Sequence, residues 1–181
     1  RWKWHQISLN PNITMEIIKN NPEKKWNWRN LSIRTKFTIE IIKNFSNQNL
    51  NWSLISRHKD ITWDIIEEHI DKPWDWDFLS EHPNITWEII ENNPDKPWNY
   101  ICVSKNPNIT WELIENNPDK LMNWESISQN PNITWEIIQN NRDKKWVWSE
   151  ISAHPNITWD IIQNNPNEKW IPYDLSKNPN I

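Results

Sequence analysis

Glycine is absent from the 181 residues, and alanine occurs once, as Ala153. Without glycine the chain can hold no Gly-rich phosphate loop, dinucleotide fingerprint or nucleophile elbow, because each needs backbone angles or close approaches that glycine alone supplies cheaply. Most nucleotide-using enzymes are thereby excluded. A lone cysteine, Cys102, forms no internal disulfide and demands no oxidising compartment. Mean hydropathy is -0.93, and no apolar run approaches the roughly 20 residues that span a bilayer. With no recognisable secretory leader, the reading is a cytoplasmic chain without a membrane segment.

What the chain has instead is 17 Trp and 13 Pro, distributed with a strict period. Ile-Thr-Trp ends at Trp63, Trp87, Trp111, Trp135 and Trp159, always 24 residues apart, and the register runs back to Ile39 and Met15. A second column holds Trp4, Trp28, Trp52, Trp76, Tyr100, Trp124 and Trp148. A third holds Pro11, Pro83, Pro107, Pro131, Pro155 and Pro179. The consensus reads W-N-W-x-x-I-S-x-N-P-N-I-T-W-E-I-I-x-N-N-P-D-K-P, with repeats starting at Trp2, Trp26, Leu50, Trp74, Trp98, Met122, Trp146 and Trp170. Residues 1–181 are therefore one array of about 7.5 repeats. A first residue other than Met and ends that fall inside a repeat are expected of a segment from a longer array.

Each repeat contains two helix starts of the same chemistry. In the first, Trp74 precedes the cap, Asp75 is the N-cap, Trp76 opens the helix and Leu79 takes the fourth helical position, which is a hydrophobic staple. Ile85, Thr86, Trp87 and Ile90 repeat the pattern. An acid follows at the second helical position, from Glu16 to Asp160, where the helix dipole favours it. Both helices stop at Asn-Pro or His-Pro, because the residue before proline is driven from helical angles. Helices of about two turns are unstable alone, so stacking must supply the stability. The predicted fold is all-α: an α-solenoid of 24-residue repeats, each of two short helices joined by Asn-Pro turns. A leucine-rich solenoid has a similar period, but its strand signature is missing.

Several invariant columns have the residue types of chemistry and a simpler explanation. Serine recurs from Ser8 to Ser176 without exception; an eightfold nucleophile lacking a positioned His and carboxylate is implausible, and a small residue at a helix contact is expected. The threonine column, Thr14 to Thr158 and including Thr38 and Thr62, reads as caps. His58, His82 and His154 share a column with Asn10, Asn106, Asn130 and Asn178 before the turn; donors about one helix diameter apart do not share a metal. The N-I-T sequons at Asn12, Asn84, Asn108, Asn132 and Asn156 are read as incidental to capping. No cofactor or metal is implied. All three Trp columns are predicted to be core, since a fully exposed ladder would make a large adhesive patch. Nucleic acid is disfavoured by a net charge of -4 and a pI near 5.7.

Charge is uneven along the chain. Residues 1–59 carry 11 Lys and Arg against 3 acids, and residues 60–120 carry 4 against 14. Such asymmetry favours head-to-tail association of copies or orientation of a charged partner. Residues 34–50 depart furthest from the consensus: Arg34, Thr35 and Lys36 replace N-P-N, and Ile39, Phe45 and Leu50 replace Trp, Asn and Trp. They read as a decayed repeat or as a place where the solenoid bends or receives a partner. The columns freest to vary are His5, Arg29, Ser53, Asp77, Ile101, Glu125, Ser149 and Tyr173, and Arg57, Glu81, Lys105 and Gln129 in a second. Such positions are expected to face outward and to carry any specific recognition.

The segments PNITWEIIENNPDKPWNY (83–100) and PNITWEIIQNN (131–141), in an array rich in Ile, Asn and Lys, resemble the tryptophan-repeat proteins of giant DNA viruses of amoebae. The resemblance covers essentially the whole chain and implies a viral origin with a cytoplasmic or virion setting. It carries no activity. The functional expectation is a non-enzymatic scaffold that binds a protein partner through its outer columns; the alternative is a ligand-binding array whose exposed Trp ladder takes glycan or peptide.

Overall fold

A computed structural model describes residues 3–32, 34 and 38–181. The starting Trp2 and the substituted Thr35 and Lys36 lie outside the described residues. Among those described there are 15 helices and no strand, so the fold is all-α. The first helices of successive repeats are α1 (Trp4–Ile7), α3 (Trp28–Ser32), α5 (Trp52–Ile55), α7 (Trp76–Ser80), α9 (Tyr100–Val103), α11 (Trp124–Gln129), α13 (Trp148–Ala153) and α15 (Pro172–Leu175). The second helices are α2 (Met15–Lys19), α4 (Thr38–Phe45), α6 (Trp63–Glu68), α8 (Trp87–Asn92), α10 (Trp111–Asn116), α12 (Trp135–Asn140) and α14 (Trp159–Asn164). Most are shorter than the two turns expected. The chain divides into two compact units, an N-terminal region Arg1–Leu79 and a C-terminal region Ser80–Ile181. Each has repeating contacts of the tandem kind.

The caps explain why helices so short start where they do. Thr86, Thr110 and Thr134 lie in extended backbone, and each Oγ1 accepts the N–H three residues on at 3.3 Å. Asn99 and Asn123 do the same for the first helices of their repeats. At the other end Asn93, Asn117, Asn141 and Asn165 donate side-chain N–H to the carbonyl four residues back, at 2.7 to 2.9 Å. The threonine column is not uniform, however. Thr62 makes no side-chain cap bond. Thr38 lies inside α4, where its hydroxyl donates to the carbonyls of Ser32 and Arg34. No described residue has positive φ, so these turns are closed without the conformation that glycine would have supplied.

The core is aliphatic first and aromatic second. In the C-terminal region the staple pairs Ile85 with Ile90 and Ile109 with Ile114, together with Ile127, Ile133 and Ile151, are at most 2 % exposed. In the N-terminal region Ile18, Leu31, Ile41, Ile42, Ile55, Ile61 and Ile66 fill the same role. The repeat-starting Trp column is the most regularly buried of the three; its Trp170 is half-buried, but Trp26, Trp74, Trp98 and Trp146 are buried. Each of these donates its indole N–H to the carbonyl five residues back at 2.7 to 2.9 Å. Trp63, Trp76, Trp111, Trp124, Trp135 and Trp148 are half-buried, and Trp159 is 52 % exposed. The expectation that every Trp is core is therefore corrected. Layers separated by one-turn helices have room for Ile, and the larger indoles line the margins.

Two substituted positions show the packing compensating. Met122, in the repeat-starting column, is exposed, and Leu121 before it is fully buried in its stead. In the N-terminal region Leu50 is buried where Trp is usual, and Phe45 packs its ring 4.6 Å from Trp28. Residues 38–50 thus keep apolar groups, of other types, in the layer.

Candidate functional site

The invariant polar columns converge on the joints between successive repeats. Ser8, Ser32 and Ser56 in the N-terminal region each accept, on Oγ, the backbone N–H of the residue 19 positions on, at 2.8 to 2.9 Å. Ser80, Ser128 and Ser152 do so in the C-terminal region at 3.0 Å. Ser8, Ser56 and Ser104 also donate to the carbonyl four residues back at 2.8 Å. The hydroxyl thus relays between its own helix and the start of the next repeat. Small size alone, the expected reason, does not account for serine here; alanine would leave a buried N–H without an acceptor.

The column before the turn proline makes the second tie. Asn106 is fully buried, and its Nδ2 donates to the carbonyls of Ser80, His82 and Ile85, all at 3.0 Å. Asn130 and Asn178 repeat the arrangement one and three repeats later. His154 occupies the same place with its Nε2 3.0 Å from the Asn130 carbonyl. Arg34, in the N-terminal region, reaches the Asn10 and Pro11 carbonyls with its two guanidinium nitrogens at 3.2 and 3.1 Å. The sequon asparagines form a third tie. Asn108, Asn132 and Asn156 donate Nδ2 to the Pro and Ile carbonyls of the preceding repeat at 2.7 to 3.0 Å. A glycan on that nitrogen would displace these bonds, which gives the sequons a structural reason. The turn-tolerance reading of the Asn/His column missed its role, because a tie 24 residues away leaves no trace in local sequence.

Two indole triads stand at the margins of the C-terminal joints. Trp111, Trp124 and Trp146 lie with ring centroids 5.2 to 6.4 Å apart. Trp135, Trp148 and Trp170 repeat the triad at 5.3 to 6.5 Å. Beside the second triad is a cleft of about 310 Å³ rimmed by Arg142, Lys145 and Lys169, with Arg142 paired to Glu168 at 2.7 Å. Beside the first, where Met122 stands in place of Trp, the cleft is about 230 Å³.

The residues singled out for recognition are placed unequally. Arg29, Asp77, Ile101, Glu125 and Tyr173 are exposed, while Ser149, Glu81, Lys105 and Gln129 are half-buried. Three others in the N-terminal region are engaged with the next repeat. His5 Nδ1 lies 2.8 Å from Asn27 Nδ2, Ser53 donates to Asp75 at 2.8 Å, and the Arg57 guanidinium sits 3.4 Å above the Phe78 ring. Lys177 lies 4.0 Å from the Tyr173 ring centre. Among the described residues no three His, Cys, Asp or Glu side chains are grouped as metal donors. No helix among them is long and apolar enough to cross a membrane.

Comparison with protein-family models, curated proteins and solved structures found no match to this chain.

Proposed function

We propose that the chain is a non-enzymatic repeat scaffold, an α-solenoid whose interior holds it together and whose outward columns bind a protein partner, in the virion or infected-cell cytoplasm of a giant virus. One observation carries this reading. The recurring Ser and Asn side chains are committed to backbone groups at the joints, while the variable columns include the exposed Arg29, Asp77, Ile101, Glu125 and Tyr173. Among these, Ile101 and Tyr173 are 52 % and 72 % exposed, and large apolar or aromatic groups of this kind anchor protein interfaces. The excess of base in residues 1–59 and of acid in residues 60–120 also favours contact between copies at low salt.

The test is cross-linked capture from infected amoebae with the native array and with a variant carrying Asp77→Ser, Ile101→Ser, Glu125→Ser and Tyr173→Ser. A partner held by the first and lost from the second, at unchanged helical circular dichroism, is expected. Equal capture by both arrays defeats the reading. Light scattering across a salt series reads self-association in the same samples.

The marginal indole triads favour a second reading, in which the clefts at Trp111 and Trp135 take glycan or peptide. Titration with oligosaccharides then quenches tryptophan emission saturably. Emission unchanged across the titration leaves the protein-binding reading in place.

A further inference from the structure

In the C-terminal region the column holds an amide at Asn106, Asn130 and Asn178, which make the joint tie, and an imidazole at His82 and His154; His82 accepts the Asn84 N–H at 3.1 Å, and at His154 the ring also makes the joint tie. The asparagine uses both ends: Asn130 Oδ1 accepts the Asn132 N–H at 2.8 Å while Nδ2 donates to carbonyls behind it. His154 copies this with two ring nitrogens. Its Nδ1 faces the backbone N–H of Asn156 at 3.1 Å, and its Nε2 faces the Asn130 carbonyl at 3.0 Å. A backbone N–H only donates and a carbonyl only accepts. Both contacts are satisfied by one form alone, the neutral ring with its hydrogen on Nε2. A second proton, on Nδ1, sets two donors against each other in a site where the residue is 4 % exposed.

The elements packed around the ring offer little to offset that charge. Their charged side chains are Glu125 on α11, Glu136 on α12, Glu150 on α13, Asp160 on α14, and Asp174 and Lys177 at α15. Glu125, Glu136 and Asp160 are exposed, Asp174 is paired with Lys177 at 2.7 Å, and none of the six forms an ion pair with His154. We propose that the His154 joint is an acid-sensitive point in the array: proton uptake on Nδ1 breaks the contact with the Asn156 N–H and so loosens the Asn156 side-chain ties to the Pro131 and Ile133 carbonyls of the repeat behind it, while the asparagine-tied joints are indifferent to pH.

Burial holds the His154 imidazole below the ordinary range, and the Asn130 carbonyl, by accepting from the ring, opposes this in part. The unfolded chain therefore binds the proton more readily than the folded one. The stability contributed by His154 is complete above the ordinary imidazole value, about 6.5, and falls as pH drops below it.

The test uses the array's own alternative residue. His154→Asn keeps an acceptor and a donor in place and removes the titration, and every other histidine is common to both chains. Between pH 7.5 and 5 the native thermal midpoint is expected to fall further than that of H154N, by roughly 2 to 4 °C. Equal falls overturn the proposal. On the native chain alone, exchange of the Asn156 amide, corrected for intrinsic rate, is expected to lose at least tenfold protection at pH 5.5 while the Asn132 amide keeps its own. Retained protection at Asn156 overturns it equally.

Discussion

At the residue before the turn, the C-terminal region places Asn106, Asn130 and Asn178, each spanning three carbonyls of the preceding repeat, with histidine at His82 and His154. At the same column the N-terminal region has Asn10, Arg34 and His58. Arg34 reaches one of the corresponding carbonyls, that of Asn10, and the Pro11 carbonyl that a sequon asparagine answers elsewhere, from a half-buried position with a longer, charged donor. The apolar layer differs likewise. The C-terminal region has the indole triads Trp111–Trp124–Trp146 and Trp135–Trp148–Trp170, and the N-terminal region includes a Phe in its ring contacts, Trp28–Phe45, beside Trp4–Trp26 and Trp52–Trp74. The difference teaches that the acceptor pattern is the constraint and the donor is negotiable. Backbone carbonyls recur every 24 residues whatever the side chains are, and any donor of sufficient reach answers them.

The largest break in this comparison comes from Asn130→Ala, which strands the Ser104 carbonyl and takes one of two donors from those of Asn106 and Ile109. Each unsatisfied buried group costs about 1 to 3 kcal/mol, and water entering the gap will recover part of it. A loss of about 3 kcal/mol in urea unfolding is expected, against less than ~0.5 kcal/mol for Asn10→Ala at the exposed equivalent. Next is Trp146→Leu, which imports the residue that Leu50 represents. Here no Phe45 equivalent stands ready, and the bond to the Asn141 carbonyl is lost along with ring contacts to Trp111 and Trp124. The expected loss is about 2 to 3 kcal/mol, read by denaturant midpoint.

Ser128→Ala removes the acceptor for the Val147 N–H and should cost about 1 to 2 kcal/mol, whereas Ser176→Ala, at an exposed hydroxyl, should leave the thermal midpoint unmoved. The smallest effect is a gain. His69 stands in the N-terminal region where Asn93, Asn117 and Asn141 cap their helices, and its Nε2 is buried with no hydrogen-bond partner. His69→Asn restores the capping amide and is expected to add about 1 kcal/mol in the same urea assay. A variant no more stable than the native chain would show that the N-terminal helices do not need that cap.

Much of the helical level was legible because its causes are local. The staple at Trp74 and Leu79, the cap at Thr86 and the stop at Asn93 act within a few residues, and their spacing states them directly. The joint was not legible in the same way. Ser80 looked like a small spacer and Asn106 like a turn former, since each reads correctly as such over a short window. Their partners are 19 and 21 to 26 residues away. The exchange of Leu121 for Met122 escaped for a related reason: the register points to the column, and only packing decides which of two adjacent side chains enters the layer.

The amino-acid order by itself determined the period, the two short helices per repeat and their all-α character, because hydrophobic spacing, capping and proline act within one turn or one repeat. Tertiary structure alone decided which indoles are buried, which donor answers which carbonyl, and which outward positions are engaged with the next repeat. Those outcomes depend on desolvation and on hydrogen-bond reach between layers, and both are fixed only once one repeat has come to rest against another.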